Sequence, residues 1–113
     1  MSFLLENSRS FWKAAGAMLE MGEYNLVLFH LEQALQLCLK YKLYEKYGDF
    51  PKTHSLKQLL AELGAEVEID PLVIDLLEDA YIGSRYIPVR YSRESAHRAY
   101  REVERALRAL LCL

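Results

Sequence analysis

With 113 residues, 52% of them hydrophobic and 27% charged, the chain has the size and composition of one globular domain with room for a real core. Its formal net charge of -2 and pI near 5.9 exclude a generally basic nucleic-acid binder, so any polyanion site has to be local. Residues 1–5 lack the features of a secretory leader, and no apolar run approaches the roughly 18 residues of a membrane span, so a cytoplasmic location with no membrane contact is expected.

Periodicity divides the chain into five helices with no strand pattern. Ser2 caps a first helix to about Met21, with Leu4, Leu5, Trp12, Ala15 and Leu19 on its buried face, and Gly22 punctuates its end. The second runs from near Glu23 to Gly48, a left-handed terminus. It is too apolar to face water and is read as the central helix of a bundle. Its remaining polar residues, Asn25, Glu32, Gln36 and Lys40, are taken as a narrow wet stripe. Ser55 and Gln58 form a capping box for a short third helix bearing Leu56, Leu59, Leu60 and Leu63 and ending at Gly64. A polar linker, 65–69, leads to Asp70-Pro71, a cap and first-turn proline, and a fourth helix with Leu72, Leu76, Leu77, Ala80 and Tyr81 inward. A loop is expected at 83–91. Ser92 then caps the last helix, striped by Ala96, Ala99, Tyr100, Val103, Leu107, Leu110 and Leu111. The expectation is a single all-α domain over 1–113, an up-and-down bundle of four long helices plus one short one.

Cys38 and Cys112, far apart and without metal-ligand spacing, read as small core hydrophobes. His30 reads as a satisfied, half-buried histidine and His54 as a loop-fixing one. No His or carboxylate set has metal-ligand spacing, and no metal or cofactor is expected. Arg98, Arg101, Arg105 and Arg108 recur on one face of the last helix, with Glu94 and Glu104 placed to pair with Arg98 and Arg108. A solvated, self-paired face is expected there ahead of an RNA or acidic-partner surface.

Three segments carry a resemblance that periodicity cannot supply. Phe29-His30-Leu31-Glu32-Gln33-Ala34 leading to Leu39-Lys40, Thr53-His54-Ser55-Leu56 with Leu59-Leu60, and Tyr81-Ile82-Gly83-Ser84-Arg85-Tyr86 resemble, in order and spacing over nearly the whole chain, the signatures of small bacterial and archaeal HEPN-domain proteins. The resemblance implies a helical bundle, a homodimer, and a minimal nucleotidyltransferase encoded nearby as the partner in a toxin-antitoxin-like module. Ile87 departs from the family pattern, in which Pro and an acidic residue follow the Arg-Tyr pair directly.

Many members of that family are metal-independent ribonucleases with an Arg separated from a His by four to six intervening residues. Arg90 and His97, with six intervening, match this spacing and are the catalytic candidates. A near-neutral imidazole can move the 2′-hydroxyl proton, and a guanidinium can hold the phosphate as charge builds on it. Tyr91 stands where active members carry a polar residue. Arg93, one turn before His97, joins Tyr81, Arg85 and Tyr86 as candidate nucleotide or phosphate ligands. Related partners silence such toxins by adding AMP to a Tyr just past the His; Tyr100 is three residues beyond His97, in the apolar stripe, and is expected to be buried. Two functions stay open: a dimeric RNA-cleaving subunit, or a non-catalytic subunit that binds a nucleotide or docks the nucleotidyltransferase.

Overall fold

A computed structural model describes residues 2–64, 66–86 and 90–113, the side chains of residues 2 and 84–86 excepted. These residues form α1 (Ser2–Glu20), α2 (Tyr24–Tyr47), α3 (Leu56–Leu63), α4 (Pro71–Tyr86) and α5 (Arg93–Ala109), and no strand occurs among them. The all-α bundle expected from periodicity is the fold, with four long helices and the short α3. Ser2, taken as a cap, is already the first helical residue. α4 takes in the first four residues of the expected loop, 83–86, because Gly83 is buried inside it and continues the helix. Residues 87–89, including the Ile87 departure, lie outside the described residues.

α2 packs against each of the other four helices. Leu28, Leu31, Leu35, Leu39 and Leu43 are fully buried along it, each contributing roughly 2 kcal/mol by leaving water. Gly48 ends α2 with φ 79°, and its amide returns 2.8 Å to the Tyr44 carbonyl. Any residue with a Cβ would be strained there. Ser55 caps α3 by accepting from the Gln58 amide, Asp70 accepts from the Leu72 amide at 2.9 Å to open α4, and Ser92 accepts from Ser95 to open α5.

Two sequence expectations are corrected by the packing. The polar stripe of α2 is not wet: Glu32 is 0%, Gln36 4% and Lys40 9% exposed, since α4 and the chain ahead of α3 cover it. Covered in this way, that side of α2 has no solvent to offer, so these side chains partner one another. Gln33 and Gln36 donate to the two oxygens of Glu32 at 2.7 and 2.9 Å, and Lys40 donates to Gln36 Oε1 at 3.1 Å.

The cysteines are buried as expected, but they are joined in a disulfide with Cα atoms 6.1 Å apart. The pairing depends on how α5 ends. Leu111 adopts φ 62°, its amide donates to the Arg108 carbonyl, and Cys112 donates to the Leu107 carbonyl at 2.8 Å. This double closure turns the chain sharply and brings Cys112 onto α2. Arg9 of α1 donates through Nε to the Cys112 carbonyl at 2.8 Å, holding the turn from the other side.

Candidate functional site

The α5 arginines divide into two groups. Arg98 pairs with Asp70 rather than with Glu94, Arg105 donates to Glu102 at 2.9 Å and to the Glu68 carbonyl, and Arg108 pairs with Glu104 at 3.0 Å. Glu102 in turn accepts from the Asp70 amide at 2.8 Å, and the Arg105 guanidinium beside it holds its carboxyl below the usual range. Half of this face therefore fastens residues 68–70 to α5, in keeping with a self-paired surface. The segment expected as a polar linker also contributes buried Val67 to the core and packs half-buried Ile69 against it.

Arg101 makes no ion pair among the described residues. It lines a depression of about 360 Å³ with Arg93, Glu94 and His97. Arg93, His97 and Arg101 follow one another at one-turn spacing on α5, so two guanidinium groups flank a half-exposed imidazole. Arg93 and His97 also line an adjoining depression of about 450 Å³, walled by Leu19, Glu20, Met21, Gly22 and Tyr24 of the α1–α2 turn. Met21 is 66% exposed at that rim. The arrangement is an open surface of mixed charge, with Arg93 and Arg101 beside His97 and with Glu94 and Glu20 in the same lining; the arginines and the imidazole are groups suited to a phosphodiester.

Arg90 is exposed in the segment before the Ser92 cap and lines neither depression. Tyr91 is pinned beside it, its amide donating 3.1 Å to Asn25 Oδ1 at the start of α2, and burial pushes its phenol up. The structure thus groups Arg93, not Arg90, with His97. The α5 register shows why: His97 lies four positions after Arg93 within one helix, with three residues intervening, whereas Arg90 precedes the helix.

Tyr100, expected to be buried, is half-buried and stacked on Trp12 with ring centroids 4.3 Å apart. Its hydroxyl sits over Gly16, where an added Cβ would lie 3.2 Å from it. Phe11 and Trp12 are accommodated against the core, whereas Phe3, 51% exposed, and Tyr47, 62% exposed, are aromatics that the bundle leaves in water.

Tyr81 stands in a second place, between α4 and α2. It stacks on Phe29 at 6.2 Å and faces His54 at 5.4 Å. It lines a cavity of about 420 Å³ with Glu32, Thr53, His54, Ser55, Glu78 and Ile82. His54 Nδ1 approaches Gln36 Oε1 at 3.3 Å, which ties the loop to α2 as expected of a loop-fixing histidine. His30 Nδ1 donates to the Leu26 carbonyl at 2.6 Å between the Phe11 and Phe29 rings. The side chains of Arg85 and Tyr86, at the end of α4, lie outside the described residues.

Sequence reading missed Glu32. Burial pushes its carboxyl up to about 7, opposed by the two glutamine donors and reinforced by the Glu78 charge. The available signal was a glutamate inside the most apolar helix of the chain. Among the described residues no group of three His, Cys, Asp or Glu is placed to hold a metal, and no helix is long and apolar enough to cross a membrane.

An all-α bundle whose last helix presents a histidine between arginines defines a class of small helical domains. The chain belongs to the HEPN domain family, whose model matches residues 1–113. It is similar to the solved structure of TT1696 from Thermus thermophilus, with 26% identity, a TM-score of 0.80, and 99% of this chain and 97% of that one covered. No functionally curated protein matches the chain.

Proposed function

We propose that this chain is a HEPN subunit that cleaves RNA without a metal, in a homodimer restrained by a minimal nucleotidyltransferase encoded nearby. The observation that carries the reading is His97 held between Arg93 and Arg101 on an open surface, which the second copy of the proposed dimer closes. His97 takes the 2′-hydroxyl proton, the 2′-oxygen attacks phosphorus, and the bond to the 5′-oxygen breaks. The arginines hold the charge that gathers on the phosphoryl oxygens. The leaving oxygen collects its proton from the second subunit's imidazolium, and the product carries a 2′,3′-cyclic phosphate.

The second reading, a non-catalytic subunit for nucleotide binding or for docking the nucleotidyltransferase, is favoured by Arg90 and Tyr91. The arginine at the family spacing lines no depression with His97, and Tyr91 occupies the polar position.

Purified protein is expected to be a dimer by light scattering at micromolar concentration and to cut RNA in the presence of EDTA. His97→Ala should abolish cutting. Arg93→Ala should cost on the order of 100-fold, and Arg90→Ala should show whether the loop arginine joins the site in the dimer. A verified, unmodified dimer that leaves a broad RNA panel intact would leave the binding subunit standing.

A further inference from the structure

Arg93 and His97 border both depressions on this surface, and the two differ in what they add to that pair. The first adds Arg101 and Glu94 of α5. The second, of about 450 Å³, adds apolar Leu19, Met21 and Tyr24 and the Glu20 carboxylate, all from the α1–α2 turn. Phosphate chemistry accounts for the arginines, but not for a carboxylate set among apolar groups in the same lining. The turn is closed in a way that fixes these groups. Gly22 takes φ 74°, its amide donates to the Leu19 carbonyl at 3.2 Å, and the Glu23 amide reaches back to the Met18 carbonyl at 3.0 Å. This paired closure seats Glu20 and Met21 at the end of α1, both exposed. Tyr24, the first residue of α2, is half-buried against the core, and its hydroxyl lies 4.0 Å from the point where a Gly22 Cβ would stand.

A flat aromatic base suits the apolar part of this lining, because contact with Leu19, Met21 and Tyr24 takes both the base and the side chains out of water. The carboxylate adds discrimination. On its pairing edge guanine offers two adjacent N–H donors, N1–H and the 2-amino group, which match the two oxygens of a carboxylate. Adenine and cytosine each set one amino group beside an acceptor nitrogen, and uracil sets one N–H between two carbonyls. In all three an acceptor lone pair faces the second carboxylate oxygen, which repels it.

We propose, resting on the reading of His97 given above, that the depression at the α1–α2 turn is a guanine subsite, in which Glu20 accepts from N1–H and the 2-amino group while Leu19, Met21 and Tyr24 carry the ring. His97 is common to both depressions, and the nucleoside nearest to it is the one whose 2′-hydroxyl it deprotonates. The guanine therefore belongs to the nucleotide on the 5′ side of the bond that breaks, and the chain cuts after guanosine. Glu20 touches none of the reacting atoms; it determines specificity. Without its carboxylate the surface still holds RNA through Arg93 and Arg101 but no longer chooses the base.

The test is calorimetric titration of the intact chain with the 3′-monophosphates of guanosine, adenosine, cytidine and uridine, and with that of inosine, which lacks the 2-amino group. Guanosine 3′-monophosphate is expected to bind about tenfold or more tighter than the adenosine, cytidine and uridine compounds, and inosine should lose most of that advantage. Glu20→Gln, a change at an exposed position, should bring guanosine down to the level of adenosine. Equal binding of the four, failure of all four to bind, or a guanosine preference that survives Glu20→Gln overturns the subsite. The inosine comparison reads the same contact in the wild type, so a variant that fails to fold by circular dichroism does not remove the test. Binding and cutting fail separately. A chain that selects guanosine 3′-monophosphate but leaves RNA intact keeps the subsite and loses the nuclease reading, whereas one whose cyclic-phosphate ends fall equally on all four nucleosides keeps the nuclease and loses the subsite.

Discussion

A carboxyl group sealed from water is tolerated either as an acid or as a well-bonded anion, and Glu32 is balanced between the two. Its folded value of about 7 lies above the ordinary 4.5, so the folded chain keeps a proton that the unfolded chain gives up. Its contribution to stability is therefore full below about pH 4.5, declines as pH rises to about 7, and is flat beyond. The decline amounts to about 3 kcal/mol. Urea midpoints measured at about pH 5 and about pH 8 should fall with pH in the wild type, and Glu32→Gln should remove most of that slope. A wild-type midpoint constant across this range would show that Glu32 is ionised in the fold at little cost. The residue was not legible beforehand because spacing places Glu32, Gln36 and Lys40 on one stripe without saying what covers it. His30, His54 and Tyr100 were legible, because a polar or aromatic group in an apolar pattern has few satisfied states open to it.

At the scale of elements, caps and punctuation set the limits of the helices. Ser55, Asp70 and Ser92 each accept the amide bonds their positions imply, and Gly48 takes the left-handed conformation its place demands. The exception at the other extreme is Leu111, where a residue with a side chain sits at φ 62° in the position that helix ends usually give to glycine. The left-handed conformation costs a β-carbon-bearing residue roughly 1 kcal/mol, and the Leu111 side chain is 75% exposed, so it returns little by packing. Leu111→Gly is expected to raise stability by up to about 1 kcal/mol, seen as a rise of several degrees in Tm. A fall in Tm would assign the leucine a packing role. The α5 arginine face was half legible. Its Glu104–Arg108 pair follows from helical spacing, but the Arg98–Asp70 pair depends on where residues 68–70 pass over the helix, which no local pattern records.

For the whole molecule the disulfide is the feature that composition concealed. Two cysteines separated by 74 positions are silent in sequence, and only the turn at Leu111 aims the second at the first. Cross-linking at that separation stabilises by roughly 2–4 kcal/mol, chiefly by restricting the unfolded chain. Cys112→Ala, or a reducing agent acting on the wild type, is expected to lower Tm by roughly 10 °C or more, and the reductant should leave the Tm of the Cys112→Ala variant unchanged. An equal response of both proteins to reductant would mean that the bridge does not form in solution.

The bridge also divides the molecule in a way the helix order does not. Residues 38–112 form a covalent ring containing the second half of α2 and all of α3, α4 and α5, whereas α1 and the first turns of α2 hang outside it as a tail. Inside the ring, opening is limited by the crosslink; the tail is retained by its packing on the rest of α2 and on α5 and by Arg9 on Cys112, while Ser8, donating 2.7 Å to the Ala34 carbonyl, ties α1 to α2 within the tail itself. The half of the His97 surface built by the α1–α2 turn therefore belongs to the part that can peel away or be traded between two copies, while His97 itself belongs to the ring.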